Sequence, residues 1–564
     1  MKFSQFKYER PDIYILKGDL KKLIQGIKES NSKEEQISLI KHINSIRNDI
    51  DTMMNVCDIR HTINTQDKFY EEEKEHFDKV LPIYQGVISE FYKTLINSKF
   101  KKELEDEFGS QLFNIANASV KVFSEEVIED LQLENKISSE YTKLLASANI
   151  PFMGEERNLA GMVPFQTDKN RETRKSANEA RYKFFSDNEE KLDQIYGDLV
   201  KVRTKIAKKL GYKNFVDLAY DRLCRSDYNK DMVKVFRNQV LENIVPVSTE
   251  LYKRQKERLN LNSLKYYDEN FKFLSGNALP KGDANWILNN GKKMYSQLSK
   301  ETEEFFDFML ENELLDVLNK KGKASGGYCT DIPNLKAPFI FANFNGTSGD
   351  VDVLTHEAGH AFQGYCSRNF DIPEYLFPTL EACEIHSMSM EFFTWPWMKL
   401  FFEEDEEKYK FGHISSALTF IPYGVSVDEF QHFVYENPEI TPDERKKAWR
   451  DIEKKYLPHR DYEDNEFLNK GTYWYQQGHI FESPFYYIDY TLAQICALQF
   501  FEKMTKNREC AWNDYLKLCS LGGSKSFLSL LKDANLKSPF EKGTLKPVMD
   551  CVKNYLSNVD DKKL

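Results

Sequence analysis

The chain has 564 residues, 41% hydrophobic and 30% charged, with 41 Phe and 30 Tyr, a composition too apolar and aromatic for a disordered polypeptide. Its formal net charge of −11 excludes a dominant basic field, which argues against nucleic acid or an anionic membrane surface as a partner. Nine cysteines with no CxxC pair fit reduced thiols, and no apolar run has the length of a signal peptide or a bilayer span, so a soluble, cytoplasmic protein is expected.

At this length two or more substructures, or one large single-site fold, are expected. The first 150 residues read as helix after helix. Leu20, Leu23, Ile24 and Ile27 follow the i, i+3, i+4, i+7 pattern, and Phe69 to Lys79 continues it. The pattern breaks at Asn149 to Gly154, which places a boundary between a helical region 1–150 and the remainder, 151–564. Leu159 to Phe165 reads as a short strand or hairpin arm. Helical periodicity resumes over Glu190 to Leu210, where Leu192, Ile195, Tyr196 and Leu199 share a face, and helices continue to about residue 312. A second irregular region, Lys320 to Gly349, holds Gly326, Gly327, Pro333 and the apolar run Pro338 to Phe344, the clearest strand in the chain.

That strand leads into DVLTHEAGHAFQ, Asp352 to Gln363. Ser348 is a candidate helix N-cap, and Asp350 and Asp352 suit the positive end of the helix dipole. On a helix, His356 and His360 lie one turn apart on one face, so both imidazoles can reach one tetrahedral ion. Glu357 projects beside them, able to accept a proton from an activated water without binding the metal itself.

A catalytic metal needs a third ligand. A second helix beginning near Pro378 offers Glu381, Cys383, Glu384 and His386. Glu381, Glu384 and Glu391 share a face, so one carboxylate could bind metal while another hydrogen-bonds a ligand histidine. Spacing does not choose between Glu381 and Glu384. Cys383 and His386 point elsewhere and read as packing residues. Further on, Tyr473 to Tyr490 gathers His479 and several tyrosines, including Tyr486, Tyr487 and Tyr490, the donor types that stabilise the oxyanion of a tetrahedral intermediate.

HEAGH, the later Glu in EACEIHSMSMEFF, GHIFESPFYYIDY, the segment Gly154 to Phe185 and APFIFANFNGTSGDVDVLTHEAGHAF together resemble the oligoendopeptidase F and thimet oligopeptidase family of zinc metallopeptidases. The resemblance runs from about residue 140 to the C-terminus. It implies one zinc ion held by His356, His360 and Glu384, Glu357 as general base, and Glu391 hydrogen-bonded to a ligand. It also implies catalytic roles for His479, Tyr487 and Tyr490, with Tyr486 adjacent and in contact with substrate. The glycine-rich loop that thimet-type enzymes carry before these tyrosines is absent, which favours the oligoendopeptidase F branch.

The fold so implied is mainly α, a two-lobed helical zincin-type body with a deep channel and a small sheet beside the HExxH helix. Region 1–150 would form part of the channel wall. The strand through Phe341, Ala342 and Asn343 is expected to be a sheet edge that pairs with substrate backbone. The expected activity is endopeptidase cleavage of short, unstructured peptides. The alternatives are a zinc carboxypeptidase on a related fold and a non-catalytic helical peptide-binding protein. Glu357 argues against the latter, because a site that only binds metal needs no base beside it.

Overall fold

A computed structural model describes residues 1–564 other than Lys321 and Ser325. The chain is mainly helical. It opens with α1 (Ile13–Glu29), α2 (Lys33–Ile63), α3 (Lys68–Ile96), α4 (Lys101–Phe108), α5 (Ser110–Lys121) and α6 (Ile128–Ala146). The first three start at residues whose side chains cap them, since Asp12, Ser32 and Asp67 accept hydrogen bonds from the first-turn amides. Leu20, Ile24 and Ile27 face inward as their spacing predicts, and join a core built from α1 to α5.

That core includes Ile372 and Tyr375 from far downstream. Tyr375 donates to the carbonyl of Phe108 (2.6 Å), and Arg47 on α2 pairs with Glu374 (2.7 Å), both side chains being buried. The N-terminal helices are therefore stitched to the segment that joins the two helices of the site described below.

At the break after α6 the chain forms a hairpin, β1 (Ile150–Phe152) antiparallel to β2 (Glu155–Arg157). The turn between them uses Met153 (φ 51°) and Gly154 (φ 81°), both left-handed. The hairpin thus precedes the stretch from Leu159 to Phe165, for which the sequence predicts a strand. That stretch is helical instead, with a 3-10 turn at Ala160–Met162 and a helix at Val163–Gln166, because Pro164 sits in the first helical turn, where its fixed φ favours a start.

After the helices Glu189–Lys209 and Lys300–Glu311 comes a three-stranded sheet: β3 (Leu315–Leu318), β4 (Tyr328–Ile332) and β5 (Ala337–Phe344). The order is β3-β5-β4, with β3 parallel and β4 antiparallel to β5. Phe341, Ala342 and Asn343 therefore lie on the central strand, not on an edge. Tyr328 is the register partner of Phe341 on one side and Asp316 on the other, and the Ala342 carbonyl accepts from Lys323 (2.6 Å). Phe341 and Ala342 are fully buried, and the Asn343 amide is spent on the carbonyls of Ala324 and Gly326. The strand is apolar on both faces because both faces are covered.

The edge nearest the site is β4. Helix α2 braces it: Asn55 donates to the Asp331 carbonyl (2.8 Å), and the hydroxyls of Thr62 and Tyr328 are 2.6 Å apart. Beneath β5 runs α7 (Gly349–Ser367), packed in turn against α8 (Leu380–Phe393). Two long helices complete the surroundings, α9 (Glu406–Glu436) and α10 (Tyr487–Lys506). Among the described residues no helix is long and apolar enough to cross a membrane.

Candidate active site

Helix α7 begins at Gly349, but the Ser348 side chain makes no capping bond. The Asp350 carboxylate accepts from the amides of Asn345 (2.8 Å) and Gly346 (2.7 Å), which lie before the helix, and so fixes the turn that connects β5 to α7. Asp352 accepts from the Tyr409 hydroxyl of α9 (2.6 Å). These two anchors orient the helix that carries His356, Glu357 and His360.

The structure brings His356, His360 and Glu384 together, with one ligand atom from each lying within 4.8 Å of the others. His356 Nε2 is 3.4 Å and His360 Nε2 3.7 Å from Glu384 Oε2. Donors at zinc distances on a tetrahedral ion stand about 3.4 Å apart, so the residues fit a catalytic metal of the N,N,O type. On α8 spacing leaves Glu381 and Glu384 open, and the resemblance implies Glu384. Glu384 faces the histidines, whereas Glu381, one turn earlier, accepts from the buried Tyr228 hydroxyl and lies 3.9 Å from Arg225. Cys383 sits against the Pro378 carbonyl (3.7 Å), and His386 is fully buried near Tyr515.

Glu391 turns His356 so that Nε2 is the free nitrogen: its Oε1 is 2.7 Å from His356 Nδ1. Its other oxygen is 2.7 Å from Nε2 of His413 on α9. His413 carries no signal in the sequence, since it lies 22 residues beyond Glu391 in a helix with no motif. Burial works against charge throughout this group. Even so, hydrogen bonds from the histidines hold Glu384 and Glu391 at about 2, and bonds to the two carboxylates lift His356 well above the usual histidine range. A carboxylate that orients a ligand histidine typically contributes 10- to 100-fold to metal affinity. Glu391→Gln is accordingly expected to weaken metal binding by about that factor, measured by competition with a chromophoric chelator.

Glu357 is 8% exposed, and its Oε2 has no hydrogen-bond partner among the described residues. Burial raises its carboxyl to about 7. Its Oε1 lies close to Gly327, just ahead of β4: a Cβ added there would stand 3.6 Å from that oxygen and 3.3 Å from the Phe341 carbonyl.

The aromatic cluster sits across from this group. Tyr486 donates to Glu384 Oε1 (3.2 Å), closer to the metal-ligand set than its adjacent position suggested. The His479 ring centroid is 4.9 Å from Tyr487, 5.9 Å from Tyr486 and 5.8 Å from Tyr490. Gln477 Nε2 is 2.8 Å from His479 Nδ1, and burial lowers the imidazole below its ordinary value. All three phenols are raised by burial, so they remain protonated donors near neutrality.

The start of α10 is set by Phe485, which is fully buried at φ 68°. Its amide donates to Gln431 Oε1 (2.9 Å), and its carbonyl accepts from Arg225 (2.6 Å). Arg225, itself fully buried, also donates to Asp489 Oδ1 (2.5 Å), between Tyr487 and Tyr490 in the chain. A non-glycine residue in this region costs on the order of 1–3 kcal/mol and persists only where neighbours over-determine it, as they do here.

A helical body with a small sheet beside a HExxH helix, and a His-His-Glu set facing half-buried tyrosines, defines a metallopeptidase-type centre. The chain belongs to peptidase family M3: residues 165–276 and 293–549 match Peptidase family M3, and residues 3–123 match the Peptidase M3 N-terminal domain. A solved structure of PZ peptidase A with an inhibitor is 59% identical, with a TM-score of 0.94 and 100% of each chain covered. Oligopeptidase PepF of Bacillus subtilis is 23% identical over 432 residues, 71% of this chain and 60% of its own length. The Oligoendopeptidase F homolog of Borreliella burgdorferi is 25% identical over 374 residues, 64% of this chain and 61% of its own. The chain thus matches about three fifths of the length of these curated relatives.

Proposed function

We propose that the chain is a zinc-dependent oligopeptidase that hydrolyses internal bonds of short, unstructured peptides, with His356, His360 and Glu384 holding the ion. The observation that carries this reading is the buried Glu357 carboxylate, whose Oε2 has no hydrogen-bond partner among the described residues, adjacent to a ligand-competent set that faces phenol donors. When bound, zinc supplies Lewis acidity toward the scissile carbonyl and lowers the pKa of water. Glu357 takes the proton of the attacking water and returns it to the leaving amine nitrogen. Tyr490 and Tyr487, with His479, donate to the developing oxyanion, while Tyr486 holds Glu384 in place and lies against the substrate.

Substrate backbone is read at β4 in place of β5, at the end where Gly327 leaves room beside Glu357. Residues 1–150 form part of the wall that limits access, with α2 bracing that edge from outside. A site enclosed in this way admits extended peptides and excludes folded proteins. A cytoplasmic location fits the unpaired cysteines.

The test uses a peptide blocked at both ends, with a chelator-treated sample as control. Cleavage at an internal bond is expected, lost with the chelator and restored by one equivalent of zinc. Failure to cleave the doubly blocked peptide, with cleavage of its free-acid form, would favour a carboxypeptidase. Tyr490→Phe is expected to lower kcat by about 100- to 1000-fold with little change in KM, as removal of one oxyanion donor does.

A further inference from the structure

We propose that a carboxylate of the peptide is read by Lys272 and Arg181 in a cation-lined cavity beside the catalytic centre. The inference rests on the peptidase reading above and adds a class of substrate to it. The cavity measures about 640 Å³, within the range of ligand sites. One wall is the face of α9 bearing Gly412, Ser416, Thr419 and Tyr423, and the same helix presents His413 to Glu391. Tyr423 donates to Gln477 (2.8 Å), the residue that holds His479, and its ring centroid is 5.9 Å from that of Tyr487. The cavity therefore shares a wall with the groups assigned to the oxyanion.

Arg181, Arg258, Lys272 and Arg460 line this space, and Glu269 is the one carboxylate among its described lining residues. Glu269 is taken by Arg460 (2.7 Å) and Arg258 by Asp561. The other two cations have only neutral acceptors within ion-pair distance among the described residues. Lys272 donates to Ser416 Oγ and to the Gly412 carbonyl (3.3 Å), with Asp352 attracting it from farther off. Arg181 donates to the Leu159 carbonyl (3.0 Å) and, at 3.5 Å, to Gln476. Two half-buried positive charges with no carboxylate within ion-pair distance among the described residues are under-compensated, and an incoming carboxylate supplies the missing partner. A guanidinium fork and an ammonium point charge each suit a carboxylate well. The carboxylate can come from the C-terminus of the peptide or from an Asp or Glu side chain.

Binding decides this without requiring turnover. In zinc-loaded Glu357→Gln protein, Kd is measured by calorimetry for three N-acetylated peptides of one neutral sequence: the free acid, the amide, and the amide with a single Glu walked through its positions. Hydrogen bonds to charged groups predict at least about tenfold tighter binding of one carboxylate-bearing peptide over the neutral amide. A preference for the free acid identifies the terminus as the source, and a preference for a Glu-bearing amide identifies the side chain. Adding Lys272→Gln or Arg181→Gln is expected to shrink the ratio to about twofold or less, and Lys272→Arg to retain most of it. Should Lys272→Gln fail to fold, Arg181→Gln carries the comparison. Equal Kd for all three peptides, or a ratio unmoved by either glutamine, overturns the proposal. Cleavage of the neutral amide by native protein is scored separately and bears on the peptidase reading alone.

Discussion

Glu357→Gln is expected to lower kcat on a quenched fluorogenic peptide by roughly 100- to 10,000-fold, the range general acid–base groups contribute. Glutamine keeps the size and the polarity of the side chain but cannot take the proton. The metal content of the variant, measured by mass spectrometry, should equal that of native protein, because Glu357 is outside the His356, His360, Glu384 set. KM should change little, since the carboxylate acts on the attacking water and not on the peptide. A loss smaller than about tenfold, or an equal loss of metal, would remove Glu357 from the role of base.

Gly359→Ala is expected to damage both stability and metal binding, although it adds only a methyl group. Gly359 lies between the two histidines where α7 crosses α8. A Cβ there would stand 2.6 Å from Ser387 Cα and 2.7 Å from the His386 carbonyl. Both are backbone atoms of the helix that carries Glu384, so the clash cannot be relieved by a rotamer change. The helices must part, which costs about 1–3 kcal/mol as core overpacking does. The same separation draws Glu384 away from the imidazoles, so zinc affinity should fall by at least about tenfold, the change that about 1.4 kcal/mol produces. Chemical denaturation of the metal-free protein and chelator competition measure the two effects independently. Gly18→Ala in α1, where an added Cβ meets nothing within 4 Å, is the control and should be neutral or slightly stabilising.

Gly359 shows where local sequence reading stops. HEAGH announces two imidazoles on one face, because that follows from helical geometry alone. Nothing in it says that the glycine is the crossing point of two helices, since the crossing belongs to the tertiary fold. The same limit appears at β5. Its apolar run is legible as a strand, and an unbroken run of buried residues is what a covered central strand carries. An edge assignment overlooks this signal, because strand order depends on two short upstream partners, β3 and β4, that show no periodicity of their own. The pairing of Glu391 with a histidine is foreseeable from the shared face of α8, whereas His413 arrives from another helix and has no signature. Glu381 and Glu384 are equivalent by spacing; the resemblance picks Glu384, and the structure turns it to the histidines while Tyr228 and Arg225, brought in from far upstream, occupy Glu381.

The left-handed turn at Phe485 also separates two properties usually measured as one. The side chains proposed to hold the metal come from α7 and α8, while the phenols depend on a backbone torsion held by Arg225 and Gln431. Loss of that hold would release the start of α10 without touching the histidines. A population of molecules could then be fully charged with zinc and yet unable to turn over. Metal stoichiometry would count them as sound, and only active-site titration would reveal the idle fraction.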